Sequence, residues 1–304
     1  MNIGAIAIGS NSTRLLTVLD DGREDRARED TRLFSGIQAD GNLSDEAMDR
    51  TVRAVLNLKM RALKFGAQHV LLLATSATRD AGNSEEFTRR LFSGTGLRLR
   101  VITGAEEAAL AFSAASAGSD SAVLDIGGGS TELTYGKNGV IQTSVSAQEG
   151  ASRLYKCCGE VTSLEDARRL TSAVRERLRA VYAPLLALPR PPCLIAIGGT
   201  ATTAAAIQRK TESHGQELEG TRLTMKDAQR QLETIAPLSL EARAQVPGLY
   251  PSRVHIMPHG LCILLAAMEL TGFEELTVST RNNLDAAVRD ERLLKELTAG
   301  SRNT

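Results

Sequence analysis

The chemistry of this chain concentrates in Asp125-Ile-Gly-Gly-Gly-Ser-Thr-Glu132. Consecutive glycines leave backbone N–H groups uncovered, because no Cβ stands between them and a ligand. Ser130 and Thr131 add hydroxyl donors, and the carboxylates of Asp125 and Glu132 flank the run. Donors suit phosphate oxygens, whereas carboxylates at the edges suit a hard cation such as magnesium. Taken alone, the same residues also read as an ordinary glycine-rich hairpin. Similar small polar stretches occur at Gly9-Ser-Asn-Ser12, Thr75-Ser-Ala-Thr-Arg79 and Gly198-Gly-Thr200, and an acidic pair stands at Glu106-Glu107.

The elements that must position these residues are legible as alternating apolar runs and helical stripes. Ile3 to Ile8 reads as a strand running into the Gly9 turn, and Leu15 to Leu19 as the next strand, closed by Asp20-Asp21-Gly22. The charged run Arg23 to Arg32 reads as a solvated edge strand. Ser44 caps a helix that Gly66 ends, with Val52, Leu56, Met60 and Leu63 on one face. His69 to Ala74 is a buried strand delivering Thr75 to Arg79 at its C-terminal end. Asn83 and Glu86 suggest a capping box for the helix that carries Phe87 and Leu91. Leu97 to Ile102 is a strand, and Gly104 opens another helix.

Beyond this point the order of elements restarts. Val123 to Ile126, Glu132 to Tyr135 and Val140 to Ser146 read as strands, the last two joined by Gly136-Lys-Asn-Gly139. A long amphipathic helix covers Leu164 to Tyr182, and the strand Leu194 to Ile197 ends in Gly198-Gly199-Thr200. Thr224 with Asp227 caps a helix, Pro258 opens one, and Leu276 to Ser279 is a last strand before a closing helix near Asn283. Ala5 to Leu15 aligns with Val123 to Leu133, matching Ile, Gly, Ser, Thr and Leu at equal spacing. A duplicated strand–turn–strand suggests two related domains, each offering a turn to a shared cleft. In this alignment Ala7 stands where the second copy has Asp125.

Composition narrows the function. The 304 residues contain 36 Lys plus Arg and 36 Asp plus Glu, giving a formal net charge of zero. That balance, with no Trp, argues against nucleic acid as a partner. No apolar run reaches membrane-spanning length, and Met1 to Ile8 lacks the positive run of a signal peptide. Cys157, Cys158, Cys193 and Cys262 read as reduced, mostly buried thiols of a cytoplasmic protein. His255 and His259 lie four apart, but Pro258 between them marks a helix start, so they are not read as a zinc pair. Lys137 and Arg153 could help a chain substrate leave the cleft, but no residue pattern shows it.

Gly9-Ser-Asn-Ser12, Thr75 to Arg79, Glu106-Glu107-Ala108, Asp125 to Glu132, Ile197-Gly-Gly-Thr200 and Gly248-Leu-Tyr-Pro-Ser-Arg253 follow one another in a fixed order. Together they resemble the exopolyphosphatase/guanosine pentaphosphate phosphohydrolase family of the actin/Hsp70/sugar-kinase superfamily, from the N-terminus to about Val288. The resemblance implies an α/β fold of two actin-like (ribonuclease H-like) domains, each a mixed sheet flanked by helices, with an interdomain cleft. Their expected extents are residues 1–119 and 120–304, with residues 289–304 packing back on the first.

The resemblance also assigns roles. Glu107 would be the general base for the attacking water, and Arg79 would neutralise phosphoryl oxygens. Gly9, Ser10, Asn11 and Ser12 would bind phosphate in the first half. In the second half Gly127, Gly128, Gly129 and Ser130 would do so, with Gly199 and Thr200. Asp125 and Glu132 would coordinate magnesium. The implied substrate is inorganic polyphosphate or guanosine pentaphosphate, the implied assembly a cytoplasmic homodimer.

Two departures stand out. The family usually carries Asp where this chain has Ala7, and it tends to have glycines where Asn282 and Ala286 stand. Loss of the Ala7 carboxylate predicts weaker magnesium binding, lower turnover, or a metal shifted toward Asp125, Glu132 and Glu107. It also leaves a weakly active or non-catalytic polyphosphate or alarmone sensor as a second reading. A sugar or acetate kinase of the same superfamily is disfavoured by Glu107, which calls for water as acceptor.

Overall fold

A computed structural model describes residues 2–213, 215–291 and 294–295. The chain divides into two compact units: one runs to Leu110 and takes up the chain again from Asn283, the other is Ala111–Asn282. Most of 289–304, expected to pack back on the first half, lies outside the described residues.

In the first unit β1 (Ile3–Ile8), β2 (Thr13–Val18) and β3 (Glu24–Glu29) form an antiparallel meander. Helix α1 (Asp45–Phe65) leads to β4 (His69–Ala74), which runs parallel to β1. The one-turn α2 (Ser76–Arg79) and α3 (Ser84–Thr95) precede β5 (Leu99–Val101), parallel to β4, and α4 (Gly104–Ala115) leads out. The sheet order is β3-β2-β1-β4-β5, placing the charged strand at the edge, as its composition predicts. Ile6, Ile8, Leu15 and Leu72 pack with Met48, Val55 and Leu58 of α1 and with Phe87 and Leu91 of α3.

Two sequence expectations need correction here. The buried face of α1 is Ala47, Met48, Thr51, Val55, Leu58 and Ala62, while Leu56, Met60 and Leu63 are 39, 58 and 42% exposed. Small residues win because the helix approaches the sheet closely: a Cβ on Gly4 would lie 3.1 Å from the Ala62 Cβ. Asn83 holds the N-cap position of α3 but makes no cap bond. Its amide instead imitates a strand partner, accepting from the Leu43 N–H at 2.8 Å and donating to the Leu43 carbonyl at 2.9 Å.

The second unit repeats the plan. Strands β6 (Ser121–Ile126), β7 (Thr131–Lys137) and β8 (Val140–Ala147) form the meander. They are followed by α5 (Ala151–Cys158), α6 (Leu164–Leu186), β9 (Leu194–Ile197) and α7 (Gly198–Arg209). Then come β10 (Arg222–Thr224), α8 (Met225–Ile235), α9 (Leu240–Arg243), α10 (Met257–Thr271) and β11 (Glu275–Val278). The order β10-β11-β9-β6-β7-β8 contains the first unit's order, with β9 and β11 in the places of β4 and β5 and β10 added antiparallel at the edge. Helices α6 and α10 bury Val174, Leu178, Tyr182, Leu261 and Leu264 against Leu124, Ile126 and Leu133, each such side chain contributing roughly 1.5–3 kcal/mol.

Arg243, fully buried, spans this unit's loops: its guanidinium donates to the carbonyls of Ile235, Ala236 and Val161. Helix α11 (Asn283–Ala287) belongs to the first unit, where Asp285 accepts from Arg26 of β3. Three cysteines, Cys157, Cys158 and Cys193, are exposed and only Cys262 is buried, against the expectation of mostly buried thiols. No helix of the described residues is long and apolar enough to cross a membrane.

Candidate active site

The duplication extends to single hydrogen bonds. In the first unit the Gly9 N–H donates to the Ser12 carbonyl at 3.1 Å; in the second the Gly127 N–H donates to the Ser130 carbonyl at 2.9 Å. A Cβ on either glycine would meet that carbonyl at 3.0 Å, so both turns fold back closely at the same point.

Both turns also have their carbonyls tied back. Phe34 and Arg32 donate main-chain N–H bonds to Ser10 and Asn11, each 2.9 Å. At the head of α5, Ala151 N–H bonds the Gly127 carbonyl at 3.0 Å and Arg153 N–H bonds Gly128 at 2.9 Å, while Arg153 Nε donates to Gly129 at 2.6 Å. A trans peptide plane points its C=O and the following N–H in opposite directions. Fixing these carbonyls therefore aims the N–H groups of Asn11 and Ser12, and of Gly128, Gly129 and Ser130, away from the tie. Sequence reasoning singles out Arg153 but not its part in the turn; the signal for that is Gly150, where a Cβ would collide with the backbone of Gly128 and Gly129. Arg153 is thus held against the turn, with Nη2 donating to Gln148 Oε1 at 2.6 Å. Lys137 sits at the opposite end of β7 from the turn, about 20 Å along the strand, so it serves no phosphate bound there.

In the first unit, parallel pairing of Ile8 with Ala74 sets the Gly9 turn beside Thr75 to Arg79, and the Ser10 and Ser76 hydroxyls lie 3.1 Å apart. Asn11 Nδ2, Thr78 Oγ1 and Arg79 Nη2 are buried without a hydrogen-bond partner among the described residues. Each such group costs about 1–3 kcal/mol, and an anion carrying several oxygens is the ligand that would satisfy them. Thr78 was not singled out from the sequence; its place one residue before Arg79 was the available signal.

Geometry also separates the two acidic neighbours. Glu106 accepts from the Thr103 N–H at 2.9 Å and from Arg100 Nη2 at 2.7 Å, and Thr103 Oγ1 accepts from the Glu106 N–H. The Thr103 N–H, with Arg100, holds the Glu106 carboxyl below the usual range, as befits a helix cap. Glu107 is buried, with its Oε2 3.5 Å from Arg79 Nη1, which also donates to the Ile102 carbonyl at 2.7 Å. Glu107 and Arg79, given separate roles in the sequence reading, are therefore brought together.

In the second unit Asp125 faces Glu132 across β6 and β7, and Glu132 faces Ser146 across β7 and β8. Ser146 Oγ donates to Glu132 Oε1 at 2.7 Å. The Asp125 carboxylate lies over Gly198, whose Cβ would stand 2.5 Å from Oδ1. Magnesium commonly takes one or two carboxylates plus waters and substrate phosphate, so this pair fits it. No group of three or more metal-ligating side chains occurs among the described residues. The corresponding row in the first unit is Ala7, Arg14 and Arg28, which offers cations in place of carboxylates. Gly199 is covered by the buried Arg253 guanidinium, and Thr200 turns its side chain onto Gly260 of α10. His259 is buried, donating from Nε2 to the Gly159 carbonyl at 2.9 Å, with Tyr155 edge-on to it and to His255.

Known proteins resemble this chain in sequence and in fold. Residues 25–297 match the Ppx/GppA phosphatase family. Exopolyphosphatase 2 of Mycobacterium tuberculosis is 32% identical over 313 aligned residues, covering 93% of this chain and 96% of that one. The Aquifex aeolicus PPX-GPPA enzyme superposes with a TM-score of 0.77 at 25% identity, over 95% of this chain and 98% of that one. An exopolyphosphatase from Cytophaga hutchinsonii gives 0.86 at 24% identity, over 96% and 97%, which speaks to the fold alone.

Proposed function

From the premise that the chain belongs to the Ppx/GppA phosphatase family, we propose that it is a hydrolase releasing terminal phosphate from inorganic polyphosphate. The observation that carries this reading is that each unit has a turn whose carbonyls are tied back, so that its own N–H groups form a cradle for phosphate oxygens. Hydrolysis of guanosine pentaphosphate is the finer part of the same proposal, since its terminal phosphoanhydride is chemically alike.

Phosphoryl transfer to water demands positioning and neutralisation of charge more than covalent chemistry. Glu107 accepts the proton of the attacking water, and Arg79, 3.5 Å away, orients that carboxylate and neutralises phosphoryl oxygen. The N–H groups of Gly128, Gly129 and Ser130 hold the phosphoryl group as charge spreads over its oxygens. Asn11 Nδ2 and Thr78 Oγ1, buried in the first unit, are donors for phosphate oxygen there. Magnesium, held by Asp125 and Glu132, would supply further neutralisation of the phosphate oxygens when bound.

The test is phosphate release from medium-length polyphosphate and from guanosine pentaphosphate, with Glu107→Ala as the control against contaminating activity. Release that survives in Glu107→Ala, or none from either substrate, overturns the reading. Ala7 favours one alternative, a sensor that binds without turnover, and binding without release would select it. A homodimer acting in the cytoplasm belongs to the same proposal; sedimentation and cell fractionation check it.

A further inference from the structure

We propose that Arg153 is the positioning residue of the phosphate-binding turn, aiming the Gly129 and Ser130 N–H groups through the carbonyls it holds. This rests on the function proposed above. The glycines of the turn have no side chains with which to fix their own peptide planes. Arg153 grips two successive planes, through its main-chain N–H on Gly128 at 2.9 Å and through Nε on Gly129 at 2.6 Å. The second grip depends on the side chain. The guanidinium is a planar fork, and its Nη2 is braced by Gln148 Oε1 at 2.6 Å, so the direction of Nε is set from both sides. Absence of a Cβ at Gly150 lets the head of α5 come close enough for this contact.

The first turn has no such dependence. Ser10 and Asn11 are held by the main-chain N–H groups of Phe34 and Arg32, which any residue but proline supplies. Arg153 therefore acts on the reacting phosphate through the turn, which separates it from Arg79. Lysine keeps the charge but has neither Nε–H nor fork, so it does not replace arginine here.

The experiment compares Arg153→Ala, Arg153→Lys and Gln148→Ala in the full chain with the unsubstituted protein. It measures polyphosphate kinetics, thermal unfolding, and backbone 15N NMR order parameters at residues 127–130 without substrate. Both Arg153 substitutions are expected to lower kcat by about 10- to 100-fold, the scale of a displaced catalytic group, with KM changed much less. Order parameters at Gly129 and Ser130 should fall while the Tm stays within a few degrees, and Gln148→Ala should show a smaller version of both effects. Unchanged order parameters in Arg153→Ala overturn the proposal. So does recovery of kcat by lysine, which would mark a charge role, or a general loss of stability with no selective change at the turn. If the unsubstituted chain hydrolyses neither polyphosphate nor guanosine pentaphosphate, the functional reading fails, and the order parameters still decide whether Arg153 holds the turn.

Discussion

The two turns share a backbone and differ in chemistry. Gly9 to Ser12 and Gly127 to Ser130 close with the same N–H to carbonyl bond between strands paired in the same register. Yet the cross-strand row beside the first is Ala7, Arg14 and Arg28, and beside the second Asp125, Glu132 and Ser146. The first unit's turn region offers the side-chain donors Asn11 and Thr78, with Arg79 beside a buried Glu107; the second presents bare N–H groups and carboxylates. Duplication has kept the scaffold and divided the labour: the proposed base lies in one unit, the proposed metal ligands in the other.

The largest expected effect tests the first half of that division. Glu107→Ala should lower kcat by about 10²- to 10⁴-fold. Glu106→Ala, which removes a helix cap, should cost about 1 kcal/mol of stability and spare the chemistry. Equal losses of activity in both would break the assignment.

Magnesium titrations address the other half. Asp125→Asn should raise the concentration for half-maximal activity by about 10- to 100-fold. Ala7→Asp should lower it, and no gain in metal affinity or rate on restoring that carboxylate would mean the first turn never lacked a ligand.

Acid should single out the second unit's core. Burial pushes the His259 pKa from 6.5 down to about 4, so the folded state resists a proton that the unfolded chain accepts. Its contribution is complete above about pH 6.5 and is lost as pH falls toward 4. By pH 5 the loss reaches about 2 kcal/mol, readable by urea unfolding, and it should shrink in His259→Gln. The smallest effect is expected from Ser10→Ala, which removes the Ser10–Ser76 bond at a cost of about 1 kcal/mol.

The strands and both turns were legible because each rests on local signals: apolar runs, consecutive glycines, and motifs in a fixed order. The α1 face was misread because large apolar side chains mark a buried stripe in sequence, whereas Ala47, Thr51 and Ala62 make the close approach. Asn83 looked like a helix cap, but its amide found a partner 40 residues away. Arg153 reaches back 24 residues to Gly129, a distance no local pattern reports. What the sequence could not display was tertiary pairing of polar groups, and the tie behind the second turn is built from such pairings.

That tie has a thermodynamic consequence. Ordering a backbone residue costs roughly 1–2 kcal/mol of conformational entropy, and glycine loses the most. Because the Gly127, Gly128 and Gly129 carbonyls are already bonded to the head of α5, that entropy is given up during folding. Phosphate then meets a turn already frozen in the binding geometry. Calorimetry of phosphate binding should show a smaller entropic penalty here than for a glycine loop that orders around its ligand.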